Sequence, residues 1–343
     1  MRRHHWTFAA VVLGGLASLG LPAHAQGQLV MYCGVQEEWC RAMVNGFERE
    51  TGIKVSMTRK SAGEVLAQLK AEAQNPRADI WWGGTGDPHL QAGQEGLTDE
   101  YKSPALADLQ DWAVRQWEQS KGRTVGIYSG ALGFGFNTDL IKQKGLPEPK
   151  CWADLLDAKL KDEVQVADPN SSGTAYTLLA TVVQLMGEEK GFTYLKGLHK
   201  NINQYTKSGA APAKATSIGE TAVGITFLHD MVTFAVDGSP VKAVAPCEGT
   251  GYEIGSMSIV KGAKNLDSAK KFYDWALSPN AQRLASEAKS YQVPSNKSAP
   301  VPPQAPKIAD IKLIAYDFGK YGSSEERKRL LTRWDAEVKN LSK

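Results

Sequence analysis

The chain has 343 residues, of which 22% are charged and 42% hydrophobic, and a formal net charge of +3. That balance, with no basic run, excludes a polybasic footprint for nucleic acid or an anionic membrane surface. The length suits two domains, each able to bury its own core.

The first segment reads as an address. Met1-Arg2-Arg3 is basic, Trp6–Leu21 is apolar, and Ala23-His24-Ala25 fits a small-residue cleavage site. Residues 1–25 are therefore expected to be an export signal, with Gln26 opening the mature chain. The apolar run is shorter than the about 20 residues a membrane span needs. No cysteine follows the cleavage site, so no lipid anchor is expected, and no later run is long and apolar enough to cross a bilayer. A soluble periplasmic product is the expectation. Its four cysteines, Cys33, Cys40, Cys151 and Cys247, enter an oxidising compartment where disulfides persist. Three connectivities are open. Cys33–Cys40, close in sequence, and Cys151–Cys247, closing a long loop, are favoured. Zinc is poorly supported, because CxxC pairs and adjacent histidines are lacking.

Gln28–Cys33 reads as a strand, and Gln36–Arg49 as a helix with Trp39, Met43, Val44 and Phe47 at helical spacing. Ile53–Thr58 is β-branched and alternating. Ser61 and Glu64 form a capping box for the next helix, and Asp79–Trp82 is a third strand, followed by Gly83-Gly84-Thr85-Gly86. Strands alternating with helices through short connections predict a parallel sheet, with ligands beyond the carboxyl ends of its strands. That rule brings together Gly34–Glu38 with Gln36 and Glu37, Lys60–Glu64 with Ser61, and Gly83–Asp87 with Thr85. Thr85 also reads as a plain turn residue.

Ile127–Asn137 is an extended run interrupted by Gly130, Gly133 and Gly135, which mark bends or close backbone approach. Asn137–Gly145 reads as a short helix and Pro147–Leu156 as a turn and helix. The strand Val164–Ala167 empties into Ser171, Ser172, Gly173 and Thr174 at a helix start. Free amides, hydroxyls and the helix dipole there suit an anion, and capping by Ser171 or Ser172 is the alternative. Glu189–Lys200 reads as a helix and Asn203–Thr206 as a strand. Ala222–Phe227 is a further strand, with His229 and Asp230 just past its carboxyl end, facing a cleft or forming a solvated loop.

Pro246–Lys264 begins as a glycine-rich loop with Glu248 and Glu253 and becomes the strand Ile254–Val260. With Ile127–Asn137 it reads as a pair of crossing strands, and Tyr291–Pro294 as a third crossing. Ser268–Lys289 reads as one long helix. Ser323 caps a last helix that buries Leu330, Leu331, Trp334 and Val338. The predicted fold is α/β, two Rossmann-like lobes joined by crossing hinge strands. The predicted lobes are 26–130 plus 255–290 and 131–254 plus 291–343.

The segments YCGVQEEW, ADIWWGGTGD, ADPNSSGTAY, TFLHDM and CEGTGYEIGSMSIVKGAKN together resemble a type II periplasmic substrate-binding protein of an ABC importer. The likeness spans nearly the whole mature chain and falls in the ferric-ion-binding-like branch. Ferric members hold iron with adjacent tyrosines, and this sequence has no Tyr-Tyr pair. Ferric ion is hard and prefers such oxygen ligands, so their loss argues against iron. The arrangement instead resembles the sugar-phosphate-binding members. That resemblance implies that His229, Asp230 and Glu253 grip sugar hydroxyls, with Glu248 as a substitute for Glu253.

The residue chemistry agrees, since carboxylates accept hydroxyl protons and amides, hydroxyls and helix dipoles receive phosphate. Trp39, Trp81 and Trp82 could cover a sugar ring, but read as core. The resemblance implies capture of a small anionic ligand, most simply a hexose phosphate, by lobe closure. Delivery to an inner-membrane ABC permease follows, with no reaction, cofactor, metal or nucleic acid, by a monomer. Ferric ion and an aminophosphonate are alternatives in the same fold. A secreted hydrolase using Ser171, His229 and Asp230 is a different class, for which a G-x-S-x-G elbow is lacking.

Overall fold

A computed structural model describes residues 27–342. The expected export signal lies outside the described residues. Among the described residues there are ten strands: β1 Gln28–Cys33, β2 Lys54–Arg59, β3 Ile80–Thr85, β4 Val125–Asn137, β5 Val164–Ala167, β6 Ile202–Thr206, β7 Val223–Phe227, β8 Val241–Val244, β9 Tyr252–Ile259 and β10 Val293–Pro294. They hydrogen-bond in the order β2-β1-β3-β9-β4-β7-β5-β6. The β2-β1-β3 and β7-β5-β6 groups are parallel, and each belongs to one lobe. Both β3 and β7 are buried along their whole length, as strands covered on two faces must be.

The hinge strands do what the glycine-broken runs imply. The first half of β4 pairs antiparallel with β9 and β10, and its second half pairs with β7 and β8. One strand thus runs from one lobe into the other, and β9 joins it to β3.

Each lobe has its own core. Met31, Phe47, Trp82 and Phe272 fill the first, and Phe134, Trp152, Tyr176, Phe192 and Trp334 the second. The first helix, Glu37–Thr51, forms because Trp39, Cys40, Met43 and Phe47 recur on one face. It ends where Gly52 takes a left-handed backbone, φ 73°. Trp39 packs edge-on against Trp82 at 5.0 Å, and Trp81 is fully buried, so all three tryptophans are core.

Several boundaries move. The expected helix Ser268–Lys289 is two, Leu266–Ala276 and Pro279–Glu287. Pro279 cannot continue a helix, and Ser278 caps the second piece by accepting from the Ala281 amide. His229 and Asp230 lie in the first turn of a helix, Leu228–Val236, not in a loop. The last crossing also comes later than the boundary at 291. Ser295 and Lys297 still donate to the Ile127 and Asp108 carbonyls of the first lobe, and Asn296 bridges to Leu109. Contact with the second lobe resumes where Leu313 bridges to Thr250.

Both favoured disulfides are present, Cys33–Cys40 and Cys151–Cys247. The second closes a separation of 96 residues. Removing it, with Cys151→Ala and Cys247→Ala together, is expected to cost about 2–5 kcal/mol. Denaturant titration reads this as a lower midpoint. Among the described residues no helix is long and apolar enough to cross a membrane.

Candidate functional site

Parallel strands deliver their following helices, amino end first, to one edge of the sheet. Five N-cap residues therefore meet in one cleft: Gln36, Ser61, Thr85, Ser172 and Phe227. The first three belong to one lobe and the last two to the other. The cleft lies between the lobes and is lined by residues of both. First-turn amides such as those of Ala62, Gly173 and Thr174 have no partner within their own helix, and the helix dipoles add positive potential. Ser172 caps its helix by accepting from the Ala175 amide at 3.3 Å, so capping and lining coexist. The Thr85 hydroxyl is buried and unpartnered in the same wall. Arg59, at the carboxyl end of β2, adds a cation. Its Nε donates to the Val35 carbonyl and an Nη to Ser208 Oγ of the opposite lobe, each at 3.0 Å.

The opposite chemistry shares the cavity. His229, Asp230 and Glu253 are buried, at 3%, 5% and 3% exposure. His229 Nε2 stands 3.6 Å from Asp230 and 3.9 Å from Glu253. Asp230 accepts from Thr226 Oγ1 at 2.7 Å and from the Gln36 side-chain amide of the other lobe. Glu253 arrives on β9, opposite Gly130 of β4. Gly130 is required there, since a Cβ would lie 2.5 Å from His229 Nδ1. Burial lowers the His229 pKa, against the pull of Asp230, so the ring is held neutral. Burial, with Asp230 and Asp87 adding like charge, pushes the Glu253 carboxyl well above its usual range. A neutral imidazole and a carboxyl ready to hold a proton offer both donors and acceptors to hydroxyls.

The lobes touch across this cavity. Beyond the Gln36–Asp230 and Arg59–Ser208 bonds, a Cβ on Gly63 would meet the Asn170 carbonyl at 2.6 Å. A Cβ on Gly173 would meet Thr85 Oγ1 at 1.8 Å. The arrangement is closed.

The structure brings Gln36, Ser61, Thr85, Ser172, Gly173, Thr174, His229, Asp230 and Glu253 to one cavity. Three candidates stand elsewhere. Glu248 accepts from the Trp152 and Ala153 amides at 2.8 and 2.9 Å, fixing a turn beside the Cys151–Cys247 bridge. Ser171 donates to the Asp168 and Lys207 carbonyls outside the cavity, so it forms no triad with His229 and Asp230. Glu37 pairs with Arg41 outside this cavity. Sequence reasoning missed Arg59, Tyr128, Gly209 and Gln292. The carboxyl-end rule applied to β2 would have found Arg59. Tyr128 and Gln292 come from the crossing segments, where no pattern marks which side chains face inward.

His89 stands behind the wall, stacked on Trp81 at 3.5 Å. Its Nε2 donates to the Gly83 carbonyl and its Nδ1 accepts from Ser258, a neutral tautomer. Burial pushes its pKa down to about 3. The unfolded ring takes its proton near pH 6.5 while the folded ring does not. Stability is therefore fully present above pH 6.5 and is lost as pH falls toward 3. Melting temperatures are expected to fall through that window in wild type and to fall less in His89→Gln.

Residues 76–320 match the family described as bacterial extracellular solute-binding protein. AfuA from Actinobacillus pleuropneumoniae, solved with exogenous fructose-6-phosphate bound, superposes with a TM-score of 0.90 at 47% identity. The match covers 92% of this chain and 100% of that one. An uncharacterised Haemophilus influenzae protein is 46% identical over 333 residues, 96% of each chain. Iron-bound HitA from Pseudomonas aeruginosa shares the fold, with a TM-score of 0.74 at 20% identity over 90% of this chain and 99% of that one. The chain belongs to the bacterial extracellular solute-binding protein family, with the fold of a type II periplasmic substrate-binding protein, and it resembles AfuA more than HitA.

Proposed function

We propose that this protein captures a hexose phosphate by lobe closure and delivers it, unaltered, to an ABC permease in the inner membrane. One observation carries the reading: a single interlobe cavity joins helix amino ends and Arg59, which suit phosphate, to His229, Asp230 and Glu253, which suit sugar hydroxyls. The likeness to AfuA, solved with fructose-6-phosphate, supports it. Thr85, Ser61, Ser172, Gly173 and Thr174 receive the phosphate through hydroxyls and amides, and Arg59 balances its charge. Asp230 and Glu253 take the hydroxyls, with His229 between them.

Ligand favours the closed form only through contacts with both lobes, and the proposed set is divided between them. β4 and β9 absorb the rotation. Ser171 outside the cavity leaves His229 without a serine nucleophile at that position, which supports a binder rather than a hydrolase. A melting-shift panel tests the reading, because a ligand that binds the native form stabilises it by mass action. Hexose phosphates are expected to shift the transition, and free hexoses and inorganic phosphate to shift it far less. A shift with ferric salts or 2-aminoethylphosphonate, and none with sugar phosphates, would replace the reading.

A further inference from the structure

Lys289 of the first lobe contacts the second-lobe helix that carries His229 and Asp230, and its neighbour Ser290 contacts Gln36 of its own lobe. Lys289 follows the helix Pro279–Glu287 with a left-handed backbone, φ 57°, a conformation that favours glycine. Its carbonyl accepts from Thr233 Oγ1 at 2.6 Å, and its ammonium pairs with Asp237 at 2.6 Å. Thr233 lies in the helix Leu228–Val236 and Asp237 caps its end, and the first turn of that helix carries His229 and Asp230. Ser290, next in the chain, donates to Gln36 Oε1 at 3.4 Å, and Gln36 in turn donates to Asp230. These groups line a vestibule that shares Gln36, Arg59, Ala210 and Asp230 with the binding cavity.

Taking the closure reading above as its premise, we propose that Lys289 is a positioning residue, a clasp that holds the closed lobes together and sets the rate of ligand release. A lysine in a backbone position that favours glycine fits this role, because only a long cation reaches Asp237. The pair is half exposed, so salt screens it and the effect is modest.

Stopped-flow release of fructose 6-phosphate tests the clasp. At low salt, Lys289→Gly is expected to speed dissociation about two- to fivefold, the scale of an exposed ion pair. Association should be unchanged, and the difference should fade at high salt. Lys289→Arg restores slow release, and Asp237→Asn adds nothing to Lys289→Gly. The sugar-free Lys289→Gly protein is expected to melt no lower than wild type, since glycine suits the left-handed backbone. A purely structural lysine would instead lower melting and leave release alone. Equal dissociation rates in Lys289→Gly and wild type at low salt overturn the clasp. If wild type binds no hexose phosphate, the ligand reading falls separately. The clasp is then judged by energy transfer between dyes on the two lobes of the sugar-free protein. A smaller closed fraction in Lys289→Gly supports it, and an equal one overturns it.

Discussion

Asp230→Asn is expected to abolish capture of a hexose phosphate while leaving the fold intact. The carboxylate is 5% exposed, accepts from Thr226 and Gln36, and stands 3.6 Å from His229. In the proposed complex it takes sugar hydroxyls as a charged acceptor. Hydrogen bonds to charged groups contribute about 1.5–3 kcal/mol each. Loss of two weakens binding by about 10²–10⁴-fold, at about 1.4 kcal/mol per tenfold. Asparagine keeps the shape but turns an N–H toward Gln36 or Thr226, both of which donate to Asp230, so the interlobe bond suffers too. Calorimetric titration reads the affinity, and circular dichroism checks the fold. His229→Ala, which deletes the ring beside both carboxyls, is expected to act in the same direction. Wild-type affinity in both variants would remove this group from the ligand contacts.

The second large effect needs no change to a polar side chain. Gly173→Ala adds one methyl where the lobes touch, and that carbon would lie 1.8 Å from Thr85 Oγ1 and 3.0 Å from its Cβ. Gly173 opens the helix Gly173–Met186, and Thr85 ends β3 in the other lobe. The three atoms nearest that carbon all belong to Thr85, so with the lobes apart this crowding is relieved, and alanine favours the helix by up to about 1 kcal/mol over glycine. Closure must instead displace Thr85, and overpacking costs about 1–3 kcal/mol or more. The expected variant melts at or above wild type without ligand, binds hexose phosphate about 10- to 100-fold more weakly, and stays extended. Chemical denaturation, calorimetry and X-ray scattering check these in turn. Unchanged affinity would mean that the lobes need not approach this closely.

Much of this was legible in the residues, for physical reasons that differ from place to place. Alternating strands and helices fixed a parallel sheet, and that sheet fixed which loops meet, so Thr85, Ser172 and Gly173 could be named from spacing alone. His229 and Asp230 were placed by the same rule, although they open a helix rather than a loop. Other placements needed the strand register. Glu253 and Glu248 read as one glycine-rich loop, but Glu253 lies on β9 and faces the cavity while Glu248 binds the backbone at Trp152. Tyr128 and Gln292 lie on the crossing segments, where both faces are buried and alternation carries no signal. The break at Pro279 was written in the sequence, but an apolar stripe continuing across it masked the stop.

In the proposed function the two lobes close on a phosphorylated sugar and on little else. X-ray scattering from the purified protein, titrated with fructose 6-phosphate, tests it directly. A saturable contraction is predicted, absent with fructose and with inorganic phosphate. A profile unmoved by any hexose phosphate, or one that contracts equally with ferric ion alone, would contradict it.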